Sequence, residues 1–178
     1  MRFVPTALTG FTIVELDVQS DERGGFARFF CEEEFAAAGI PFRVVQGNLS
    51  FNPHARTLRG MHYQEQPYGE PKIVACRRGR IFDVAVDLRP ASPTYLHWAA
   101  VELAPDLGRA VVIQSGFAHG FLSLEADSEV EYLMGAPYVA SAARGVRWDD
   151  PAIGIAWPAA PSVISERDRT FPLLERRA

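Results

Sequence analysis

The feature that most constrains the fold of this chain is a series of short segments rich in β-branched and aromatic residues. Such segments are typical of β-strands, and the clusters of Gly, Pro and Asp between them are typical of turns. The predicted strands are 11–18, 43–51, 72–76, 80–88, 97–104, 110–114, 119–125 and 130–135. Short strands at this spacing predict an all-β sandwich, jelly roll or barrel, and we expect a jelly roll.

Helices are expected to be few and short. Residues 31–40 carry glutamates near their start and Gly39 as a stop signal, which predicts one helix. A second short helix is expected to begin at Ser165. No repeat or linker divides the sequence, and a chain of 178 residues can bury a proper core. We therefore expect one jelly-roll domain over residues 1–178.

Charge and hydropathy argue against several classes of protein. The net charge of −4 is unlike a nucleic-acid surface, which usually needs a basic excess. No apolar run approaches a membrane span, and the first residues lack the apolar region of a signal peptide. Without an export signal a disulfide between Cys31 and Cys76 is not expected, and Cys76 is expected to be a buried thiol. The sequence predicts a cytoplasmic protein with no nucleic-acid or membrane partner.

Strand 80–88 carries two aspartates whose direction the pattern leaves open. Side chains alternate between the two faces of a strand. One face holds Phe82, Val84, Val86 and Leu88, and the other holds Ile81, Asp83, Ala85 and Asp87. If the first face fills the interior, Asp83 points to solvent; if the second does, its carboxylate needs a buried partner. Asp87, at the strand end, is more typical of a turn residue.

The spacing of the four histidines argues against a metal site. A catalytic metal usually takes about three protein ligands, often closely spaced histidines. No two histidines here lie within five positions of each other, which disfavours a metal-dependent cupin. We expect no cofactor. His54 is expected in a loop, and His97 is expected to be solvated at the start of a strand.

His62 and His119 differ from the other two because glycine and aromatic residues flank them. Glycine allows close backbone approach or unusual turns, as a ligand pocket often requires. The glycines concerned are Gly60, Gly116 and Gly120. Taken alone, each histidine is more typical of a hydrogen-bonded core residue. Arg59 and Lys72 lie near His62 in a segment typical of β-structure, and they favour a pocket.

Five segments together resemble the dTDP-4-dehydrorhamnose 3,5-epimerase family in order and spacing. They are "LRGMHYQ" (58–64), "PKIVACRRGRIFDVAVDLRPASPTY" (71–95), "SGFAHGF" (115–121), "GVRWDDPAIGIAWP" (145–158) and "SERD" (165–168). The similarity runs from 21–24 to 171–174, nearly the whole chain. It implies a cupin-type jelly-roll barrel with a few short helices, working as a homodimer without metal. The implied activity is that of an isomerase acting on a nucleotide-linked 4-keto-6-deoxyhexose.

The resemblance implies that His62 is the catalytic base. Inverting a carbon beside a ketone requires removal of its proton, and imidazole is the side chain best suited to that task near neutral pH. Asp168 matches the carboxylate that orients this base and supports its charged form. The spacing of Ser165 and Asp168 also predicts a helix cap, and the two roles do not exclude each other.

Lys72 and Tyr132 match the other two catalytic positions. The resemblance implies that Lys72 stabilises the negative charge of the enolate oxygen, and that Tyr132 returns a proton to the opposite face. By pattern alone, Lys72 is typical of a solvated lysine at a strand start, and Tyr132 of a core or rim aromatic. His119 matches a second pocket histidine, and Asp83 is the carboxylate we pair with it.

The resemblance assigns further residues to the nucleotide. Arg59 and Arg23 match positions that hold the diphosphate, to which a guanidinium can donate two parallel hydrogen bonds. Arg23 is expected to reach the site of the partner subunit. Gln46 and Asn48 match a segment that contacts the nucleotide, and Tyr138 matches an aromatic that stacks on the base. From the residues alone, Arg23 is typical of a turn and Tyr138 of the surface.

Five positions depart from the family pattern, and all are expected to affect recognition rather than catalysis. The family usually has Asp at Gly47, His at Leu49, a carboxylate at Arg28, Glu at Ala143 and Pro at Gln114. The leading interpretation is a 3,5-epimerase of a dTDP-linked sugar. A mono-epimerase, or an epimerase for another nucleotide such as CDP, comes second. A sugar-binding cupin without activity and a metal-dependent cupin enzyme come after these.

Overall fold

Residues 1–174 are described by a computed structural model, and short strands account for most of its secondary structure. In chain order the strands are β1 (Arg2–Pro5), β2 (Phe11–Glu15), β3 (Val18–Asp21), β4 (Gly24–Ala27), β5 (Gln46–Asn52), β6 (Thr57–Gln64), β7 (Lys72–Arg78), β8 (Ile81–Asp87), β9 (Trp98–Leu103), β10 (Arg109–Ile113), β11 (Phe117–Ser123), β12 (Ser128–Met134), β13 (Ala143–Gly145) and β14 (Val163–Ile164). The α-helices within this range are α1 (Glu32–Ala37) and α2 (Glu166–Arg169), and 3-10 turns lie at Pro105–Leu107 and Ala140–Ala142. The predicted all-β fold with a few short helices is confirmed.

The strands form two facing sheets and one small hairpin. The first sheet has the order β1-β2-β10-β7-β12-β5. The second sheet has the order β13-β6-β11-β8-β9, with β14 paired to β6, and β3 and β4 form the hairpin. Most neighbouring strands in each sheet come from distant parts of the chain, as in a jelly roll, although β1 and β2, and β8 and β9, are consecutive. This topology brings residues far apart in sequence to adjacent positions on one sheet.

The apolar faces of the two sheets meet in the main core. The first sheet contributes Phe11, Val74 and Ile113, and the second contributes Ile81, Leu103 and Phe121, each at most 1% exposed. Burying a side chain of this size stabilises the fold by about 1.5–3 kcal/mol. This packing sets the distance between the sheets, and hence between any side chains that the two sheets present to each other.

Strand β8 is buried on both faces, which settles the direction of its aspartates. Ala85 lies in the main core, so Asp83 and Asp87 on the same face point inward, and neither has exposed surface. Val84, on the opposite face, packs with apolar residues of the segment 146–157. Alternation alone could not decide between the faces because both have apolar neighbours.

The structure also contains strands that the sequence pattern does not predict. The β3–β4 hairpin is polar, glycine-rich and mostly exposed, so it lacks the alternating apolar pattern of a half-buried strand. β1 pairs with β2 at the edge of the first sheet. The boundaries differ too: strand 43–51 begins at Gln46, and strand 11–18 ends at Glu15.

Both predicted helices are present, although the first is shorter than expected. Cys31 precedes α1, Phe35 within it is fully buried, and Gly39 follows with a left-handed φ of 74°. α2 begins directly after Ser165, whose Oγ accepts a hydrogen bond from the Asp168 N–H. In the part of the chain that the structure describes, no helix has the length and apolar character of a membrane span.

The residues for which no chemistry is expected lie where the sequence predicts them. His54 is exposed in the loop between β5 and β6, and His97 is exposed just before β9. Cys76 is buried in the main core, and this burial raises the pKa of its thiol to about 11. Cys31 and Cys76 are both free thiols.

Asp87 ends β8 and organises the turn that follows. Its carboxylate accepts hydrogen bonds from Arg89 Nε at 2.8 Å, Ser92 Oγ at 2.6 Å and Thr94 Oγ1 at 2.7 Å. Burial alone would raise the pKa of Asp87, but these hydrogen bonds outweigh it and hold the pKa well below its usual range. Asp87 therefore stabilises the turn through its hydrogen bonds, although its carboxylate is buried.

Replacing Asp87 with asparagine is expected to lower the free energy of unfolding by about 2–3 kcal/mol at neutral pH, because a charged hydrogen-bond acceptor is lost from a buried site. The folded-state pKa is depressed, so this stabilisation is present above the unfolded pKa of about 3.9 and is lost as the pH falls through the folded value. Urea denaturation of both proteins at about pH 7 and about pH 3 measures the difference. A difference as large in acid as at neutral pH would contradict a role for the charge.

Candidate active site

A cleft of about 330 Å³ opens between the two sheets. It gathers seven of the residues predicted for the site: Asn48, Arg59, His62, Lys72, His119, Tyr132 and Tyr138. The second sheet supplies the two histidines, and the first sheet supplies Lys72 and Tyr132. The predicted carboxylates Asp168 and Asp83 do not line the cleft themselves but contact the two histidines. The sandwich therefore has cationic and titratable side chains on both walls of one cavity.

His62 lies at the edge of the cleft with a carboxylate behind it. Its Nε2 is 2.7 Å from Asp168 Oδ1, and the Gly60 N–H donates to Asp168 Oδ2 at 3.1 Å. The His62 side chain is 41% exposed and that of Asp168 only 6%, so the imidazole is open to a ligand while the carboxylate is sealed off. Burial acts to raise the pKa of Asp168, but its hydrogen bonds to His62 and Gly60 outweigh this and lower the pKa.

Asp168 reaches His62 because the end of the described chain returns to β6. β14 pairs in parallel with β6, and α2 then begins at the Ser165 cap. The Asp168 N–H donates to Ser165 Oγ at 3.1 Å while its carboxylate contacts His62. Phe171 lies edge-on to the His62 ring, with 6.0 Å between centroids. The helix cap and the contact with histidine, both left open by the sequence, therefore coexist.

A second histidine and carboxylate lie deeper in the barrel. His119 Nε2 is 2.7 Å from Asp83 Oδ2, and both side chains are at most 5% exposed. His119 on β11 is the register partner of His62 on β6, which places the two imidazoles side by side. Asp83 Oδ1 has no hydrogen-bond partner within residues 1–174. The sequence-based pairing of His119 with Asp83 is confirmed as a contact.

Two glycines let β6 and β11 approach closely next to these histidines. Gly60 has a φ of 126°, and a Cβ there would lie 2.6 Å from Gly120 Cα. A Cβ on Gly120 would lie 2.7 Å from the Arg59 carbonyl oxygen. The β11–β6 register shifts at this point, between His119 and Phe121. The close approach expected from the sequence thus occurs at 60 and 120.

Tyr132 faces the histidines from the first sheet. Its ring lies 5.9 Å from that of His119, centroid to centroid, at an angle of 76°. Burial raises the pKa of Tyr132 well above its usual range, the charge of Asp83 raises it further, and Arg59 opposes the change. The phenol therefore keeps its proton at neutral pH and can serve as a donor.

Lys72, the first residue of β7, extends into the same cleft with a partner that the sequence reasoning missed. Its Nζ donates to Glu70 Oε1 at 2.7 Å, and both side chains are nearly buried. The expectation from pattern alone, a solvated lysine at a strand start, is wrong because β7 is buried from its first residue. The acidic residue two positions earlier is the signal that could have revealed the pair.

Three arginines give the cleft a positive lining. Arg59 was predicted, and its Nε donates to the buried Asn52 Oδ1 at 2.8 Å. Asn52 is itself anchored, since its Nδ2 donates to the Ser128 carbonyl at 3.0 Å. Arg144 on β13 and Arg167 on α2 also line the cleft, and the sequence reasoning did not single them out. These three guanidinium groups can bind a polyanion.

The nucleotide residues predicted from the resemblance gather at one part of the lining. Asn48 and Tyr138 line the cleft, and Tyr138 is 57% exposed. Gln46 does not line it but connects these two, donating to Asn48 Oδ1 at 3.1 Å and accepting from the Tyr138 N–H at 3.3 Å. Two of the departures from the family pattern, Leu49 and Ala143, line the cleft here.

Two other departures lie away from the cleft of their own chain. Arg28 pairs with Glu34 of α1 at 2.9 Å. Gln114 lines a different cavity, together with Arg89. Arg28 directly follows β4 and Gln114 directly follows β10, and neither is among the residues of the cleft.

Arg23 is not brought into the cleft by its own chain. It lies in the β3–β4 hairpin, where its side chain is 85% exposed and pairs with Asp21 at 2.5 Å. It is thus the one predicted site residue that the described part of this chain leaves apart from the others. Among residues 1–174, no group of three His, Cys, Asp or Glu side chains is arranged to hold a metal ion.

Comparison with known proteins adds to this geometry. The sequence matches a family model described as dTDP-4-dehydrorhamnose 3,5-epimerase over residues 5–176. A dTDP-4-dehydrorhamnose 3,5-epimerase of Methanothermobacter thermautotrophicus is 45% identical over 98% of this chain and 95% of its own. The crystal structure of the Bacillus anthracis enzyme of that name, with TDP and PPi bound, has a TM-score of 0.94 at 34% identity, covering 97% of this chain and 99% of that one. ChmJ, a 3'-monoepimerase of Streptomyces bikiniensis in complex with dTDP-quinovose, has a TM-score of 0.90 at 36% identity, covering 96% and 86%.

Proposed function

This chain belongs to the dTDP-4-dehydrorhamnose 3,5-epimerase family, and from that premise we propose the reaction of its cleft. As a member of the family it is an isomerase that epimerises sugar nucleotides. The proposed substrate is a dTDP-linked 4-keto-6-deoxyhexose, and the proposed reaction inverts C3 and C5, the two carbons beside the C4 ketone. No metal or other cofactor takes part in the proposed reaction.

His62 is proposed to remove the proton from the carbon beside the ketone. Its Nε2–H donates to Asp168, so the neutral ring carries its free lone pair on Nδ1. Asp168 stays ionised because its pKa is lowered, and it stabilises the imidazolium that forms when Nδ1 takes the proton. The 41% exposure of the His62 side chain supports this role, since a substrate can reach the ring.

Lys72 and Tyr132 are proposed to complete the reaction from the facing wall. The Lys72 ammonium, on the first sheet, stabilises the negative charge of the enolate oxygen. Tyr132, whose pKa is raised, then donates its phenolic proton to the carbon face opposite His62. His119 and Asp83 are proposed to bind the sugar rather than to transfer its protons.

The observation that carries this proposal is the division of the site between the two sheets. A proton removed and replaced by one side chain returns to the face it left, so inversion needs a base and an acid on opposite sides of the sugar. His62 lies on the second sheet and Tyr132 on the first, with the cleft between them. A sugar ring held in the cleft would have one wall on each face.

The nucleotide is proposed to lie along the positive and aromatic part of the lining. Arg59 would hold the diphosphate, Gln46 and Asn48 the nucleoside, and Tyr138 would stack on the base. We propose that the protein is a homodimer in which Arg23 of one copy reaches the cleft of the other. The exposure of the β3–β4 hairpin, with Phe26 at its base 78% exposed, supports this arrangement. Light scattering of the purified protein measures the oligomeric state.

The proposed reaction predicts exchange of carbon-bound hydrogen with solvent. Protein incubated with the dTDP-linked 4-keto-6-deoxyhexose in D₂O should incorporate deuterium at both C3 and C5, because each inversion passes through an enolate. Nuclear magnetic resonance of the recovered sugar locates the label. Running the CDP-linked sugar in parallel tests whether the lining with Leu49 and Ala143 accepts another nucleotide.

The outcomes of this experiment separate the alternatives. Deuterium at only one carbon would contradict double inversion and indicate a mono-epimerase, an alternative favoured by the similarity to ChmJ. Exchange with the CDP-linked sugar alone would move the nucleotide assignment to CDP. No exchange at either carbon above the uncatalysed rate would overturn the proposal and leave a sugar-binding protein.

A further inference from the structure

Lys72 is the only lysine in the sequence, among 18 lysine and arginine residues in total. Every other basic side chain of this kind is an arginine. A lysine ammonium is a compact charge with three donors, whereas a guanidinium is a planar fork of five. A chain that otherwise uses only arginine thus has a lysine at a nearly buried position in the cleft.

Glu70 contacts this amine from within the cleft. The Nζ–Oε1 distance is 2.7 Å, and the side chains of Lys72 and Glu70 are 6% and 12% exposed. A buried ammonium without a partner is costly. The nearby carboxylate therefore gives the Lys72 ammonium a hydrogen-bonded ion pair at a site that is largely closed to solvent.

The backbone around the pair is fixed by Pro71. Proline restricts φ between the two side chains, and the Pro71 carbonyl accepts a hydrogen bond from the Gly135 N–H at 2.8 Å. A Cβ on Gly135 would lie 2.7 Å from Pro71 Cγ, so the start of β7 and the end of β12 are in close contact. The positions from which Glu70 and Lys72 extend are therefore well defined.

We propose that Glu70 is a positioning residue that fixes the Lys72 ammonium and directs its free donors toward the substrate's ketone oxygen. The inference rests on the proposed function, in which Lys72 stabilises the enolate. One N–H of the ammonium donates to Glu70, which leaves two N–H groups for the ketone oxygen. A lysine chain has four rotatable bonds, and the ion pair removes most of that freedom before the substrate arrives.

Other charged and titratable groups also surround Lys72. The charged or titratable side chains that line the cleft with the pair are Arg59, His62 and Tyr63 from β6, His119 from β11, Tyr132 from β12, and Tyr138, Arg144 and Arg167 from the later segments. Glu70 is the one carboxylate that lines this cleft within residues 1–174, so its loss should act directly on Lys72.

Steady-state kinetics of Glu70 variants provide the first test. Glu70→Ala is expected to lower kcat by about tenfold or more and to change KM by less than about threefold, because the lost interaction acts in the transition state. Glu70→Asp should recover part of the loss, and Glu70→Gln, which keeps the shape, should not. The matched control is Glu129→Ala, which removes the carboxylate of the exposed pair with Arg78. A Glu70→Gln enzyme with the wild-type kcat, or with only a raised KM, would overturn the proposal.

The single lysine permits a direct second test. Protein labelled with ¹⁵N at the lysine side chain gives one ammonium signal, which reports the surroundings of Lys72 alone. In folded Glu70→Gln that signal should shift, and its relaxation should show a more mobile ammonium than in the wild type, because the ion pair that fixes it is lost. An unchanged signal with unchanged relaxation would overturn the proposal.

A double-mutant comparison separates this inference from the proposed function. If Glu70 acts through Lys72, Glu70→Ala adds little to the loss of kcat already caused by Lys72→Ala. Additive losses would show that Glu70 acts independently, and the inference would fall while the role of Lys72 stands. A Lys72→Ala enzyme with the wild-type kcat would remove Lys72 from the proposed mechanism, and the inference would fall with it.

Discussion

His62→Ala is expected to lower kcat by about 10²–10⁴-fold, the usual contribution of a positioned general base. Asp168 Oδ1 lies 2.7 Å from the imidazole Nε2, and no other imidazole that lines the cleft in residues 1–174 is as exposed. The other cleft histidine, His119, is only 4% exposed. The fold should be retained, because His62 is partly exposed and its removal leaves the main core intact. Initial rates with the purified variant, with circular dichroism as the check on folding, measure the effect.

The matched control is His54→Ala, since His54 is exposed in a loop and its side chain contacts nothing in the cleft. It should leave kcat within about twofold of the wild type, as surface substitutions usually do. If folded His62→Ala kept more than about a tenth of the wild-type kcat, the barrier would have risen by less than about 1.4 kcal/mol. The assignment of the base would then be wrong.

Tyr132→Phe is expected to slow inversion by about 10²-fold while slowing deuterium exchange by less than about tenfold. The variant keeps the ring that faces His119 at 5.9 Å, so the packing of the cleft is preserved. It removes the hydroxyl that delivers a proton to the second face. The base can still take a proton and return a deuteron to the face it came from, so exchange should continue without inversion. Time courses in D₂O that follow label and configuration together provide both rates.

Tyr95→Phe serves as the control, because Tyr95 lies in the turn before β9 and outside the cleft. It should change neither rate appreciably. Equal slowing of exchange and inversion in Tyr132→Phe would contradict an acid role and indicate that the hydroxyl orients the substrate for both steps. An unaffected inversion rate would contradict any role of the hydroxyl in proton transfer.

The fold and most of the cleft could be predicted because their residues lie on patterned strands. His119 belongs to a predicted strand and His62 to a segment typical of β-structure. Once β6 and β11 pair, their register places the two rings together. The family resemblance added Lys72 and Tyr132, which pattern alone would have assigned to solvent and to the core. A local pattern identifies a strand, but it does not identify what its polar residues face.

What could not be predicted depends on packing between distant segments. The direction of Asp83 was open because apolar residues pack against both faces of β8. Only the tertiary structure shows which of the two faces belongs to the main core. Asn52 lies at the end of β5, and Arg167 lies in the short helix α2. At neither place does a repeating pattern of apolar residues mark a functional side chain. Arg23 is a different case, since its proposed role needs a second copy of the chain.

The scarcity of lysine has a practical consequence for handling this protein. Reagents that couple to primary amines, such as succinimidyl esters and glutaraldehyde, find only Lys72 in the cleft and the α-amino group, which is paired with Glu34 at 3.1 Å. Dye labelling or immobilisation through amines would therefore compete with the substrate for the cleft. Cys31, a free and partly exposed thiol before α1, offers an attachment point outside the cleft lining.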